Sequence, residues 1–313
     1  MQVPELLGAF PDGLTAREIC DRLAVHPHRG WKFLHLLAMM GLLAEENGER
    51  GEYDAVYRLS DQSKEFFGEY GTEGYFFRDL VNYWRNVAIL PTVEVLRGMV
   101  LPNAVRWPPQ GKAAAEHLET WMRVTAGGAI KTLTTSGAVE GVQHLLDVGG
   151  GDGTVGRALL DYYPDLKVTV FNLPDSAYLA RQFIAEWKCG DRMAVHEGDF
   201  LKDELPTGFD GVLLSRVVTD YTPKTCLMLF EKAHRALEGN GRLIINEALV
   251  DGNNDYAISW EFRYLFYDTF GRAAFKSLAV YQSLLEDAGF DVVDVSPMLD
   301  DAFYSVIQAV PKR

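Results

Sequence analysis

The sequence has few of the features that mark secreted, membrane-embedded or metal-binding proteins. Its 313 residues include only three cysteines, which are widely spaced and form neither a disulfide framework nor a zinc-ligand pattern. No apolar run is long enough to cross a bilayer, and the opening MQVPELLGAFPDG lacks the basic and apolar segments of a signal peptide. None of the seven histidines forms a metal-ligand pair. We therefore expect a cytoplasmic protein without membrane insertion and without a metal.

Positive charge is also scarce. The chain carries 30 Lys and Arg against 44 Asp and Glu, for a net charge of −14. An acidic surface repels phosphate backbones, so nucleic acid is not an expected partner. What the chain has in quantity is apolar residues, which make up 48% of it and suffice for two domains with cores of their own.

The first part of the chain is predicted to be mostly helical. Thr15 and Glu18 form a capping-box pattern at the start of one helix, and HRGWKFLHLLAMMGL predicts a second. LLAEENGERGEYDAVYRLS then predicts a hairpin, which completes a winged-helix pattern. That fold reads DNA elsewhere, but the wing AEENGERGEYD is acidic and disfavours a regulator. We predict a winged-helix and helical domain over residues 1–135.

From residue 136 onwards, strands alternate with helices, which predicts an α/β fold with a parallel, Rossmann-like sheet. The last two strands, DVVDVSPML and FYSVIQAVP, are separated by only a short turn, so the sheet is expected to end in an antiparallel hairpin. A nicotinamide-binding domain has no reason to end in this way. We predict a ligand-binding domain over residues 136–313.

The stretch LLDVGGGDGTVGRALL, residues 145–160, predicts a strand, a glycine-rich turn and a helix. It contains the dinucleotide pattern G-x-G-x-x-G from Gly151, but also an acid, Asp147, followed by three alternating glycines. We expect Asp152 to face the ligand, where its carboxylate would repel a pyrophosphate and suit a ligand with an amino group and a positive charge. The turn therefore favours a cationic ligand without phosphate.

The ends of the next two strands point to the same ligand. Asn172 stands where a dinucleotide site needs an acid for the ribose, and it can still hydrogen-bond a hydroxyl. Asp199 can accept from an adenine amino group, and Phe200 can pack on the adenine ring. An adenosine with a cationic amino-acid tail and no phosphate is S-adenosylmethionine.

These motifs resemble the class I S-adenosylmethionine-dependent methyltransferases of the small-molecule O-methyltransferase family. The resemblance extends over LLDVGGGDGTVG, FNLPD, GDRMAVHEGDF, GRLIINEALV and LLEDAGF. It implies a winged-helix dimerisation domain, a homodimer, S-adenosylhomocysteine as the product and a small aromatic acceptor. It also implies a set of residues that line the cofactor: Asp147, Gly149, Gly151, Gly153, Asn172, Leu173, Asp199, Phe200, Ser215, Arg216 and Tyr221.

The chain departs from this family at the position of its catalytic base. The phenol-methylating branch has a His after the fourth strand, where this chain has Thr219, followed by Asp220. Glu247 has the spacing of the family's first supporting Glu, but Phe275 stands where the second is expected. A threonine hydroxyl is not a general base near neutral pH. We expect Thr219 to donate a hydrogen bond to an acceptor oxygen. The candidate catalytic residues are Thr219, Asp220 and Glu247, with His117 as a base from elsewhere in the chain.

The missing histidine leaves the methylated atom open. An amine nitrogen needs no base, a ring carbon needs only later proton loss, and a phenol of low pKa arrives ionised. The strand without His also resembles the phenazine N-methyltransferases and the bacteriochlorophyll ring C-methyltransferase, which implies a flat acceptor. A rearrangement without methyl transfer stays an alternative. The expected acceptor pocket, where core packing is the other interpretation, consists of Trp121, Met122, Trp260, Phe262, Tyr264 and Phe266.

Overall fold

A computed structural model of the chain describes residues 3–46, 53–61, 63–64, 92–99, 109, 111–251, 257, 275–299 and 302–312. The chain divides into two compact units, Met1–Ile89 and Leu90–Arg313. Within the described residues, none of the helices combines the length and the hydropathy that a membrane crossing requires.

The first unit contains the predicted helices and hairpin. Its elements are α1 (Val3–Gly8), β1 (Leu14–Thr15), α2 (Ala16–Arg22), α3 (Pro27–Met39), β2 (Leu43–Glu46) and β3 (Val56–Leu59). The capping box is present, because the Thr15 hydroxyl accepts from the Glu18 backbone N–H and the Glu18 carboxylate accepts from the Thr15 backbone N–H. The three strands are antiparallel in the order β1-β3-β2, as a winged helix requires. Leu7, Ile19 and Tyr57 are fully buried in its core.

In the described part of the second unit, helices come first and are followed by alternating strands and helices. Its helices are α4 (Thr92–Leu96), α5 (Lys112–Val124), α6 (Gly127–Ser136), α7 (Thr154–Tyr162), α8 (Pro174–Glu186), α9 (Pro223–Ala236) and α10 (Leu278–Asp287), with a 3-10 turn at Val218–Asp220. Its strands are β4 (His144–Val148), β5 (Lys167–Asn172), β6 (Met193–Glu197), β7 (Phe209–Ser215), β8 (Leu237–Glu247), β9 (Phe290–Val295) and β10 (Ser305–Pro311).

The seven strands of this unit form one sheet in the order β6-β5-β4-β7-β8-β10-β9. The strands β4 to β8 pair in parallel, and β10 pairs antiparallel with both β8 and β9. The predicted Rossmann-like sheet with a terminal antiparallel hairpin is therefore confirmed. The strand order reverses between β4 and β7, and ligands of such sheets bind outside the carboxyl ends of the strands at that point.

Helices cover both faces of the sheet. Because side chains alternate along a strand, Leu145 packs towards α6, α7 and α8, whereas Leu146 packs towards α9 and α10. The central strands are buried on both faces, and in β4 the consecutive residues Leu145 and Leu146 are both fully buried.

Helices α5 and α6 lie in the second unit, although residues 1–135 were predicted as one domain. Leu133 of α6 is fully buried in the core beside β4 and β7, and the Asn246 side chain of β8 donates to the Ala129 carbonyl of α6 at 3.0 Å. Helix α6 thus completes one face of the sheet. A dimerisation role for residues 1–135 stays a prediction.

Candidate active site

The glycine turn after β4 brings the backbone into close contact with two neighbouring segments. Gly149 and Gly151 have φ angles of 71° and 60°, in the left-handed region that favours glycine. A Cβ on Gly149 would lie 2.8 Å from a methyl of Val217, and one on Gly151 would lie 2.5 Å from Oε2 of Glu119. Gly153, with φ of 89°, leads into α7. The turn is therefore enclosed by the loop after β7 and by α5.

Asp147 lies directly under this turn. Its carboxylate is fully buried, and Oδ2 has no hydrogen-bond partner among the described residues. A Cβ on Gly150 would lie 2.5 Å from that carboxyl group, so the carboxyl packs against the backbone of the turn. Burial raises the pKa of Asp147 to about 7, although the nearby Arg216 guanidinium lowers it. A buried acceptor without a protein donor requires an explanation, and a ligand or an ordered water would supply the missing donor.

Asp152 was expected to face the ligand, and this was wrong. Its Oδ1 accepts from the Thr154 backbone N–H at 3.1 Å and from the Thr154 hydroxyl at 2.6 Å. Its Oδ2 accepts from Nη1 of Arg123 at 2.8 Å. Arg123, on α5, comes from a part of the chain that strand patterns do not place beside the turn. Both oxygens of this buried carboxylate are therefore engaged within the protein.

Glu119 is the acid that sequence analysis missed. It lies on α5 with only 4% of its surface exposed, and its Oε2 is the atom against Gly151. Burial raises its pKa to about 7; the Ser176 hydroxyl lowers it, Asp152 raises it, and the guanidinium groups of Arg216 and Arg123 lower it. The signal was in the sequence, because Glu119 shares a helix face with the buried Ala115 one turn earlier.

The predicted cofactor residues at the end of β7, Ser215 and Arg216, connect the loop after β7 to β8 and to α5 by hydrogen bonds. Arg216 has a positive φ of 58°, and its guanidinium donates to the Met122 carbonyl at 2.6 Å and to the Thr125 hydroxyl at 2.8 Å. The Ser215 hydroxyl accepts from the Asn246 side chain at 3.1 Å. The structure thus places Ser215 and Arg216 at the same edge of the sheet as the glycine turn.

The remaining predicted cofactor residues lie at the carboxyl ends of β5 and β6. Asn172 donates to the Gly151 carbonyl at 3.3 Å and accepts from the backbone N–H of Leu173 at 2.8 Å. Asp199 accepts from the Lys202 ammonium at 2.7 Å. Burial raises the pKa of Asp199, but Lys202 and the backbone N–H of Leu201 outweigh it, so the net pKa is lowered.

Phe200 packs edge-to-face with Tyr221, and the two ring centroids are 5.3 Å apart. Both rings are half-buried. This pair connects the end of β6 with the loop after β7, so all the predicted cofactor residues lie along one edge of the sheet.

Two of the candidate catalytic residues, Thr219 and Glu247, are joined in one hydrogen-bond network. Oε1 of Glu247 accepts from the backbone N–H groups of Val217 (2.7 Å), Val218 (2.8 Å) and Thr219 (3.3 Å), and Oε2 accepts from the Thr219 hydroxyl at 2.8 Å. Burial raises the pKa of Glu247, while these bonds lower it. The Thr219 proton is donated inside the protein, which differs from the expected donation to an acceptor oxygen. Glu247 therefore positions the loop.

Lys276 is a second residue that sequence analysis missed. Its buried ammonium donates to the Val218 carbonyl at 2.9 Å and to the Thr219 carbonyl at 3.2 Å. Its neighbour Phe275, at the position expected for the second supporting Glu, packs beside Tyr304. The loop carrying Thr219 is thus fixed by a carboxylate on its N–H groups and an ammonium on its carbonyls.

Two further predictions concern the base and the acceptor pocket. His117 is exposed and lies two residues before Glu119, about 200° around α5 from the face that contacts the glycine turn. Asp220 is half-buried at the end of the 3-10 turn. Trp121 is buried and Met122 is half-buried on α5. Trp260, Phe262, Tyr264 and Phe266 lie outside the described residues.

The arrangement has two chemical properties. Two acids with raised pKa, Asp147 and Glu119, lie on either side of a bare glycine backbone, which suits a cationic ligand. The loop at Thr219 carries no imidazole, and the Glu247 carboxylate that contacts it already accepts four hydrogen bonds. Among the described residues, no group of three or more His, Cys, Asp and Glu could hold a metal ion.

Comparison with known proteins identifies the family. The family model for the O-methyltransferase domain matches residues 112–291, more than half of the chain. Bacteriochlorophyllide d C-20 methyltransferase of Chlorobaculum tepidum is 29% identical over 208 residues, which are 66% of this chain and 60% of that protein. The N,N-dimethyltransferase OxyT of Streptomyces rimosus is 27% identical over 301 residues, 92% of this chain and 84% of OxyT.

Several of the matches to curated relatives span only 42% to 60% of the relatives' own length. Among solved structures, human N-acetylserotonin methyltransferase in complex with S-adenosylmethionine superposes with a TM-score of 0.77 at 20% identity, over 100% of this chain and 94% of that one. This likeness supports the fold. From the family model and the site together, the predicted resemblance is confirmed: the chain belongs to the O-methyltransferase domain family.

Proposed function

We propose that this protein is an enzyme that transfers the methyl group of S-adenosylmethionine to a small aromatic acceptor of the specialised-metabolite or pigment type. The observation that carries the proposal is the family match over residues 112–291. That range contains α5, the glycine turn, the ends of β5 and β6, and the loop of Thr219. The segment in which the site lies is therefore the segment that the family shares.

The described residues fit this cofactor. A side chain at Gly149 or Gly151 would collide with Val217 or Glu119, so the turn has to be bare backbone, and bare backbone lets a ligand approach closely. Asp199 and Asn172 would hold the adenosine, and the acids at the turn would face the charged tail. When bound, the cofactor supplies a methyl group on a positively charged sulfur. The protein's part is to position the acceptor in line with that group.

The network at Thr219 favours acceptors that need no general base. A nitrogen can attack with its own lone pair and lose its proton to solvent, and an electron-rich ring carbon behaves similarly after the bond forms. The two curated relatives described above are a C-methyltransferase and an N,N-dimethyltransferase by name. We therefore propose N- or C-methylation of a flat ring as the leading chemistry, with O-methylation of an already ionised phenol as the alternative.

Calorimetry with S-adenosylhomocysteine and with NAD tests the cofactor. We expect S-adenosylhomocysteine to bind more tightly, and tighter binding of NAD would overturn the proposal. Incubation with labelled S-adenosylmethionine and a panel of aromatic amines, phenols and electron-rich rings then tests the acceptor. Mass spectrometry and NMR locate the methyl group on the product.

We also propose that the protein is a cytoplasmic homodimer formed by its N-terminal helices. In support, α3 exposes apolar side chains, with Leu36 51% exposed and Met39 74% exposed. The three cysteines are buried and free, as a reducing compartment allows. Light scattering at micromolar concentration tests the dimer, and a monomer there would contradict it.

A further inference from the structure

The order of the strands determines which part of a bound ligand lies at the end of which strand. Asp199 follows β6, Asn172 ends β5, and the glycine turn follows β4, and these three strands are neighbours in the order β6-β5-β4. A ligand with its adenine at Asp199 and its ribose at Asn172 therefore has the rest of its structure at the glycine turn. In S-adenosylmethionine that part is the amino-acid tail, which ends in an ammonium and a carboxylate.

Among the described residues, Glu119 at the turn accepts a hydrogen bond from the Ser176 hydroxyl but has no salt-bridge partner. Neither nearby guanidinium forms a salt bridge with it, because Arg123 binds Asp152 at 2.8 Å and Arg216 binds backbone carbonyls and Thr125. Its carboxylate is nevertheless nine-tenths buried, with Oε2 against the backbone of Gly151. Taking a carboxylate out of water without a paired cation is costly, so its retention here calls for a function.

We infer that Glu119 recognises the ammonium group of the cofactor's amino-acid tail and forms a charge-assisted hydrogen bond with it. The inference rests on the proposed function and names the residue that distinguishes a ligand with this tail from adenosine alone. Asp147 lies beneath the turn and packs against Gly150, so Glu119 is the acid on the side of α5.

The test compares ligands with and without the tail. Glu119→Gln keeps the shape and removes the charge, and Glu116→Gln, on the exposed side of the same helix, is the matched control. The probes are S-adenosylhomocysteine, which has the ammonium, and 5′-methylthioadenosine, which lacks the whole tail. We expect Glu119→Gln to weaken S-adenosylhomocysteine binding about ten- to a hundredfold, the range for a hydrogen bond to a charged group, and to change methylthioadenosine binding less than about twofold.

The outcomes separate this inference from the proposed function. If the wild-type protein does not bind S-adenosylhomocysteine, the proposed function fails. If the wild type binds it and Glu119→Gln binds equally well, or loses both probes in parallel, the inference fails and the function stands. A loss confined to S-adenosylmethionine, with S-adenosylhomocysteine unaffected, would assign Glu119 to the sulfonium and overturn the ammonium pairing.

A pH series provides a readout on the unmodified protein. The charged groups around Glu119 are Asp152 on the turn, Arg123 on its own helix and Arg216 after β7, and Asp147 lies beneath the turn. Because a carboxyl of pKa about 7 must ionise before it pairs with an ammonium, S-adenosylhomocysteine binding should weaken about tenfold from pH 8 to pH 6. Glu119→Gln should abolish this dependence. If the dependence persists in the variant, Asp147 is the titrating acid and the inference is overturned.

Discussion

Two loops at the same edge of the sheet each contact buried carboxylates, but the protein hydrogen-bonds these carboxylates to different extents. In the loop after β7, Glu247 accepts three backbone N–H groups and the Thr219 hydroxyl, so its oxygens are saturated. At the glycine turn after β4, Oδ2 of Asp147 has no donor among the described residues, and Glu119 accepts from the Ser176 hydroxyl but has no salt bridge within them.

The difference distinguishes a structural acid from one that suits a ligand. Buried polar groups are normally satisfied within the protein, and exceptions require an explanation. Glu247 needs none, because the protein supplies every donor. Asp147 and Glu119 keep raised pKa values of about 7, which a ligand's positive charge would lower. From this comparison we expect the ligand to bind at the turn and Glu247 to have a positioning role.

The largest expected effect is at the turn. Gly151→Val should abolish S-adenosylhomocysteine binding, by more than about a hundredfold, because residue 151 has a φ of 60° and its Cβ would lie 2.5 Å from Glu119. Gly127→Ala, where a Cβ meets nothing within 4 Å, is the control. Calorimetry measures both variants. Unchanged binding in a folded Gly151→Val protein would remove the turn from the site.

The next largest effect concerns the stability of the loop after β7, the other loop in the comparison. Glu247→Ala leaves three buried N–H groups without acceptors and should destabilise the protein by several kcal/mol, since each unsatisfied donor costs about 1–3 kcal/mol. In Glu247→Gln the amide oxygen can accept from the N–H groups while the amide nitrogen donates to Thr219, so stability should change far less. Urea denaturation measures both.

Turnover of Glu247→Gln decides between positioning and proton transfer. A positioning role predicts a loss of less than tenfold, whereas removing a general base costs about 10²- to 10⁴-fold. A loss of turnover of about 10²-fold or more, with folding and cofactor affinity intact, would mean that Glu247 transfers a proton and does not only position the loop.

Thr219→Ala should have a smaller effect. It removes one hydroxyl donor from Glu247, worth about 1 kcal/mol, so turnover should fall less than tenfold. Thr219→Ser keeps the hydroxyl and should behave as the wild type. A decrease of more than a hundredfold in Thr219→Ala, at normal stability and cofactor affinity, would mean that this position carries the chemistry.

The smallest expected effect is on the pH dependence of kcat. At saturation with both substrates, the profile should lack the limb near ~6.5 that a free histidine gives. A limb near 7 in kcat/KM for S-adenosylmethionine is compatible with the comparison, since kcat/KM reports groups of the free enzyme such as Glu119. A limb in the pH profile of kcat that His117→Gln removes would identify His117 as a base and restore O-methylation as the leading chemistry.

The sequence predicted the elements because their signals are local. Alternation of apolar residues marked the strands, and Thr15 and Glu18 marked a helix start. The closeness of the last two apolar segments marked the antiparallel hairpin, although its connection, residues 296–304, is longer than the predicted short turn. The family resemblance followed from motifs at strand ends, which parallel pairing brings to one edge. The sequence also revealed that the catalytic histidine is missing, because the spacing from Thr219 to Glu247 aligns this stretch with the family's His and its first supporting Glu.

The sequence by itself therefore determined the fold class, the family, the glycine turn and the missing base. Only the tertiary structure decided which buried acid pairs with an arginine and which lies against the glycine turn. Asp152 and Glu119 differ in role because α5 places Arg123 on one and the bare backbone of Gly151 against the other. These contacts join residues about 30 positions apart, and no local pattern encodes them. A carboxylate's role depends on the donors that the folded chain brings within hydrogen-bond distance, and those are set by packing between helices and loops.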